Sequence, residues 1–224
     1  MSIQIQGNGG VVVEADGTNF RAMRTSARPI DHGALGSYSV GLITGVIAAA
    51  LGANSEIFQF RWADATRLCV IRRIRFGASV STTMFAAGGP MQIGLSRATG
   101  WTVAGSGGSR ITMSTHGRRR TNMGASLVAA NDIGIATTGA LTAGTKTNDG
   151  QSVTQMVAAC PITGSLNGSI VPPGTALWEA EVGDSDHPLV LAQNEGFIIT
   201  SIAVPATGTW QASVNVDWAE VTAY

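Results

Sequence analysis

Residues 187–224, HPLVLAQNEGFIITSIAVPATGTWQASVNVDWAEVTAY, decide the fold prediction for this chain. Towards its end the stretch alternates apolar and polar residues with a period of two, which indicates a strand with one buried face and one wet face. The apolar positions of this strand are Trp210, Ala212, Val214, Val216 and Trp218. Two further strands are predicted by an Ile- and Val-rich run at residues 197–204 and a short apolar run at residues 189–191. The stretch therefore predicts antiparallel strands of a sandwich or a barrel, with residues 209–221 in a packed sheet.

Similar strand signals recur through the preceding part of the chain. FQFRW at residues 58–62 alternates large apolar and polar side chains, and RLCVIRRIRFGASV at residues 67–80 predicts a long strand. The inward side chains of this long strand are predicted to be Leu68, Val70, Ile74 and Phe76, with Ile71 left open.

Turn and break signals punctuate the second half of the chain. TKTNDG at residues 145–150 predicts a turn, and Pro172-Pro173-Gly174 predicts a break. Residues 151–159 fit either a strand or a helical turn. Many strand-like segments, abundant turn residues and the lack of a long amphipathic pattern together predict an all-β fold, a β-sandwich of jelly-roll type.

The first part of the sequence differs from the rest in pattern. Residues 1–37 predict an extended N-terminal arm that either packs along the surface or is donated to a neighbour, and residues 38–224 predict the sandwich domain. Arg21, Arg24 and Arg28 lie within the arm and are candidate partner-contact residues.

Charge is sparse and balanced. Only 12% of the residues are charged, and 14 basic residues offset 14 acidic ones. A neutral chain offers no global electrostatic argument for nucleic-acid binding, so no specific nucleic-acid partner is expected. A surface with few charges suits a protein whose faces are covered by partners. The apolar segment at residues 40–51 is too short to span a bilayer, and the start resembles no secretory signal, so synthesis in the cytoplasm and no membrane partner are expected.

No residue pattern predicts catalysis, a cofactor or a metal site. Cys69 and Cys160 lack ligand spacing, and Cys69 sits in an apolar run that favours a buried thiol. The acidic pair Glu179 and Glu181 could serve a glycosidase, but an exposed strand face explains it better. A nucleophile, a base and an acid cannot be assembled from spacing alone, so the chain is predicted not to be an enzyme.

The highest local density of charge in the sequence comes from arginines. Arg118, Arg119 and Arg120 are adjacent in a polar segment and are candidate contacts to nucleic acid or to an acidic partner face, the alternative being a solvated loop. Arg72 and Arg73 are neighbours within a predicted strand. Because adjacent strand residues point to opposite faces, at least one of these two must face inward, reach an edge or meet another subunit.

Two segments, SEIFQFRWADATRLCVIRRI (residues 55–74) and HPLVLAQNEGFIITSIAVPATGTWQASVNVDWAEV (residues 187–221), resemble a family of small structural proteins encoded by tailed bacteriophages. The similarity extends from about residue 40 onward. It implies a role on the capsid or the tail, and it supplies no active-site residue.

The sequence and this resemblance together lead to an expectation of function. The chain is predicted to be a structural virion protein, a decoration or cement protein that binds the major capsid protein of the assembled head. A receptor- or glycan-binding module of a tail or head fibre is the alternative. A homo-oligomer, with a trimer as the first choice, and location in the virion are also expected.

Overall fold

The computed structural model describes residues 5–6, 12–13, 36–48, 51–113, 117–162, 168–180 and 187–222. Arg21, Arg24 and Arg28 lie outside the described residues, as does most of the predicted arm. The described residues contain strands and no helix, which confirms the all-β prediction. In chain order the strands are β1 (Ile5–Gln6), β2 (Val12–Val13), β3 (Gly36–Ile43), β4 (Ile47–Ala48), β5 (Ser55–Trp62), β6 (Leu68–Val80), β7 (Pro90–Val103), β8 (Ser109–Ile111), β9 (Ile133–Ile135), β10 (Thr145–Asn148), β11 (Thr154–Ala159), β12 (Ser169–Glu179), β13 (Leu189–Leu191), β14 (Glu195–Ala203) and β15 (Thr209–Val221).

Two antiparallel sheets form the sandwich, which confirms the predicted architecture. The seven-stranded sheet has the order β10-β7-β14-β5-β9-β8, with β11 also paired to β7. The six-stranded sheet has the order β12-β6-β15-β3, with β13 beside β6 and β4 beside β15. Strands β1 and β2 pair with each other.

The inner faces of the sheets meet in an aromatic core. Phe60 on β5 stacks on Phe197 of β14, with ring centroids 5.2 Å apart, and meets the Trp218 ring of β15 edge-on at 5.3 Å. Tyr38 of β3 stacks on Trp218 at 5.7 Å. Because all four rings are almost completely buried, they fix β3 and β15 against the opposite sheet.

Strand β15 confirms the sequence prediction for residues 209–221. Trp210, Val214 and Trp218 are each 0% exposed, whereas Asn215 on the alternate row is exposed. The alternation of apolar and polar residues in the sequence therefore matches the buried and exposed faces of this strand. It ends at Ala219, Glu220 and Val221, which are all buried.

Strand β6 contains an extra residue at Arg72. In the pairing of β15 with β6, Asp217 lies opposite Arg73 and Trp218 lies opposite Ile71, so that Arg72 has no partner of its own. Ile71 and Ile74 both enter the core. A β-bulge of this kind interrupts the alternation of side chains.

Because of the bulge, the side chains that face the main core before Arg72 differ from the predicted ones. Cys69 and Ile71 face the main core, and Ile74 and Phe76 do so beyond the bulge. Val70 instead packs with Ala219 and Val221 in a separate small cluster, with Leu68 against it. The prediction that Leu68 and Val70 face the main core was therefore wrong, although Val70 is buried within the small cluster.

The predicted turn at residues 145–150 is wrong, and the predicted break at Pro172-Pro173-Gly174 interrupts the pairing of a strand without ending it. Strand β12 continues through Pro172, Pro173 and Gly174, with a shift of pairing between Val171 and Thr175. Proline is tolerated there because β12 lies at a sheet edge, where a missing N–H leaves no unpaired acceptor in the ladder. Residues 145–148 form β10 rather than a turn, and the ambiguous segment before Cys160 forms strand β11.

Candidate partner-binding site

A cleft of about 870 Å³ opens on the six-stranded sheet and is lined by arginine. We refer to it as the arginine cleft. Its lining residues come from four neighbouring strands, β12, β6, β15 and β3, and from the segment that follows Gly117. Its charged lining residues are Arg72, Arg73, Arg119, Arg120, Glu179 and Asp217.

The strand pairing creates the central row of charges. Arg73 on β6 lies opposite Glu179 on β12 and opposite Asp217 on β15. Opposite charges at directly paired positions of adjacent strands stabilise a sheet, so the row acid–base–acid is a favourable arrangement.

Asp217 is shared by two guanidinium groups. Its Oδ2 accepts hydrogen bonds from Arg73 Nε at 2.9 Å and from Arg73 Nη2 at 2.6 Å. Its Oδ1 pairs with Arg119 Nη2. Arg73 Nη1 also reaches Glu179 Oε1 at 3.3 Å. Hydrogen bonding to Asp217 is the largest influence on Arg73 and raises the pKa of its guanidinium.

Arg72 lies in the same cleft as Arg73 because of the bulge. Its backbone carbonyl accepts a hydrogen bond from the Ala180 amide at 3.2 Å. Within the described residues its guanidinium forms no ion pair and no hydrogen bond. The bulge therefore adds a second cation to the row without a matching carboxylate among those residues.

The segment that carries Arg119 and Arg120 is fastened to the edge of β3. Ser39 donates its amide to the Gly117 carbonyl at 2.8 Å, and Arg119 donates its amide to the Ser37 carbonyl at 3.0 Å. The two hydrogen bonds form an isolated β-bridge between this segment and β3. They hold the Arg119 guanidinium in position over Asp217.

A buried carboxylate anchors the continuation of this segment. Glu220 is 0% exposed and accepts hydrogen bonds from the Ser126 hydroxyl at 2.6 Å, the Leu127 amide at 3.1 Å and Trp218 Nε1 at 3.2 Å. Burial is the largest influence on Glu220 and raises the pKa of its carboxyl. The Tyr38 hydroxyl donates to the Gly124 carbonyl at 3.1 Å, so the segment is tied at two points.

The predicted contact residues fall in different places. Arg119 and Arg120 line the arginine cleft. The backbone of Arg118 forms an isolated β-bridge with Tyr38, and Arg118 does not line the cleft. Its side-chain Nε is buried without a hydrogen bond. Sequence reasoning missed the role of Glu179 and Asp217, whereas the adjacent pair Arg72 and Arg73 was a usable signal.

A second cluster of buried polar groups lies on the seven-stranded sheet. Lys146 Nζ donates to Glu56 Oε2 at 2.8 Å, Gln59 Nε2 donates to the same oxygen at 2.5 Å, and the Lys146 ammonium lies 4.4 Å from the centroid of the Trp101 ring. Burial lowers the pKa of Lys146. We interpret this cluster as structural, because its charges are paired with each other.

The other sequence candidates carry no assembled chemistry. Cys69 and Cys160 are both free and buried. Among the described residues, no group of three or more His, Cys, Asp or Glu side chains could hold a metal ion. Nor does any helix in the described part of the chain have the length and apolar character needed to cross a membrane.

The fold and the cleft place the chain in the class of two-sheet, all-β sandwich proteins with a charged cleft on one sheet. Comparison with known proteins finds no family, no curated protein and no solved structure that matches it. The comparisons therefore do not support the resemblance to phage structural proteins, and the assignment to that family stays a prediction.

Proposed function

We propose that this chain is a structural virion protein of a tailed bacteriophage that decorates or cements the assembled head. The observation that carries the proposal is the arginine cleft. It is held open by a sheet edge and by an anchored segment, and arginine is favoured at interfaces because its planar fork binds carboxylates through two hydrogen bonds. The resemblance of residues 55–74 and 187–221 to phage structural proteins favours the same kind of role.

We propose a jelly-roll arrangement for the sandwich. The principal strands form one layer in the order β3-β15-β6-β12 and another in the order β5-β14-β7-β11. Along the chain, successive principal strands alternate between the layers except at the step from β7 to β11. This order agrees with two Greek keys wound across two sheets, an arrangement that occurs in viral capsid proteins.

We propose no catalytic role for the arginine cleft. Guanidinium groups remain protonated in proteins and transfer protons poorly. The two carboxylates that line the cleft, Glu179 and Asp217, are engaged by Arg73. This chemistry suits recognition of a partner better than bond cleavage.

The proposal includes self-association, with a trimer as the first choice. Strand β3 begins at Gly36, and Ser37 lines the arginine cleft, so the start of this strand lies at the rim of the cleft. Sedimentation equilibrium on the purified protein should detect a trimer at micromolar concentration. A monomer that is unaffected by deleting residues 1–35 would contradict this part of the proposal.

The capsid role is tested with particles that lack the protein. Such particles should lose DNA at a lower temperature or lower salt than complete particles, and added purified protein should restore them, because a ligand of the assembled shell alone stabilises it by mass action. Depleted particles that are equally robust but fail to adsorb to cells would instead support the receptor-binding alternative. That alternative has less support from the structure, since the exposed large apolar side chains in the described ranges include no aromatic residue.

A further inference from the structure

We infer that the arginine cleft binds a carboxylate-bearing segment of a partner polypeptide. The inference rests on the proposed function only in identifying that partner as a virion protein. Binding of an acidic segment follows from the cleft itself and can be tested without a particle.

Charge is the first argument. Arg120 has an interaction of its own, so it is left out of the count. The other three guanidinium groups of the lining, those of Arg72, Arg73 and Arg119, outnumber the two carboxylates among the described lining residues. Asp217 already shows how a carboxylate fits, with Arg73 binding it through two nitrogens and Arg119 through a third. Arg72 lies on the same row without a carboxylate among the described residues, and an incoming Asp or Glu side chain would supply it.

The shape of the cleft is the second argument. The cleft is bounded by Met123 and Ala180 beside the charged row, and its volume of about 870 Å³ lies in the range of pockets that enclose ligands, roughly 300–1,000 Å³. The apolar side chains of Met123 and Ala180 can contact the methylene groups and backbone of an extended chain, while the arginines bind its carboxylates.

Nucleic acid fits the same site less well. Glu179 and Asp217 are fixed in the row and would repel successive phosphates of a strand. Tyr38 and Trp218 are 1% and 0% exposed, so neither ring offers a free face on which a base could stack. A protein segment needs only one or two carboxylates at the guanidinium groups.

The test measures fluorescence anisotropy of fluorescein-labelled hexaglutamate with the purified full-length protein. Hexaglutamine is the uncharged comparison, and labelled oligothymidylate represents nucleic acid. We expect the protein to bind hexaglutamate more tightly than either comparison. Arg72→Gln should weaken this binding about tenfold, the loss expected when a charge-assisted hydrogen bond is removed.

Arg75→Gln provides the matched control. Arg75 lies on the same strand opposite Asn215 and outside the cleft lining, so the substitution removes an equal charge from the same sheet. We expect a change of less than about twofold. Glu179→Gln removes a competing carboxylate from Arg73 and should tighten binding by about two- to fivefold. Arg72→Lys, which keeps the charge but loses the planar fork, replaces Arg72→Gln if the latter disturbs folding, and it should still weaken binding.

Three results would overturn the inference: no binding of hexaglutamate, an equal loss for Arg72→Gln and Arg75→Gln, or tighter binding of oligothymidylate. These results are distinct from failure of the proposed function. A protein that binds hexaglutamate through Arg72 but never binds phage particles would contradict the virion role alone. A protein that binds particles unchanged by Arg72→Gln would contradict the cleft as the contact site alone.

Discussion

Arg72 and Arg73 are neighbours on strand β6, yet both line the same cleft. Regular pleating would send their side chains to opposite faces. The pairing with β15 skips Arg72, so Ile71 and Ile74 both remain in the core while the two arginines between them face outward. One inserted residue therefore produces a concentrated positive charge without burying a guanidinium.

Deleting Arg72 should preserve the fold. Removal of the bulged residue leaves Ile71, Arg73 and Ile74 in regular alternation, and the cost should be about 1–3 kcal/mol for the lost hydrogen bond to Ala180 and the local repacking. Deleting Arg75, where the pairing with the central strand β15 is regular, should abolish folding because it moves one half of the strand to the wrong face. Circular dichroism and urea denaturation of the two deletions make the comparison. Equal tolerance of both would contradict the assignment of the bulge.

Truncation of Trp218 to alanine should be among the most damaging core substitutions. Its ring is completely buried between Tyr38 and Phe60, so we expect a loss of about 3–5 kcal/mol in the free energy of unfolding. Asn215→Ala, on the exposed row of the same strand, should change the free energy by less than about 0.5 kcal/mol. Chemical denaturation measures both, and an unchanged free energy of unfolding for Trp218→Ala would argue against its place in the core.

Glu220 should impose a pH dependence on stability. Its pKa is raised in the folded protein, so between the unfolded and folded pKa values the folded state binds more protons. The free energy of unfolding should therefore decrease as the pH rises through that interval. Glu220→Gln should remove this component and, at neutral pH, cost about 1–3 kcal/mol because an amide cannot accept all three hydrogen bonds.

Urea denaturation at several pH values between about 4 and about 8 measures how the free energy of unfolding depends on Glu220. This pH range includes both ordinary and raised carboxyl pKa values. Asp149→Asn, at an exposed position, should retain the pH dependence of the parent. If Glu220→Gln and the parent show the same slope, another group is responsible.

The pair Glu56 and Lys146 should be costly to break and less costly to remove. Their side chains are 9% and 1% exposed, so Glu56→Gln leaves a buried ammonium with a weaker partner and should cost about 3–5 kcal/mol. Replacing both residues, as Glu56→Gln with Lys146→Met, should recover much of this loss. A double-mutant cycle with denaturation as the readout gives the coupling energy, and purely additive losses would exclude a coupled pair.

Both cysteines should be unreactive in the folded protein. Burial raises the pKa of Cys160 to about 11 and raises that of Cys69 well above its usual range, so little thiolate forms at neutral pH. Labelling with a thiol reagent should require unfolding at both sites and should be slower at Cys69, which is 0% exposed against 6% for Cys160. Rapid labelling of Cys69 in the native protein would contradict this packing.

The sequence by itself determined the strands whose two faces differ most in polarity. Strand β15 was predicted over residues 209–221 because Trp210, Val214 and Trp218 repeat with the period of a pleated strand, and burial of apolar surface enforces that period. The sandwich class followed from the number of such strands and from the turn residues between them.

Only the tertiary structure decided the bulge at Arg72, the continuation of β12 through Pro172 and Pro173, and the arginine cleft. The first two depend on which neighbouring backbone each residue faces, and local sequence does not contain that information. The cleft joins Ser37, Arg73, Arg119, Glu179 and Asp217, which are far apart along the chain. Their meeting requires the order in which β12, β6, β15 and β3 pair, and that order is set by the packing of the whole sandwich rather than by any one segment.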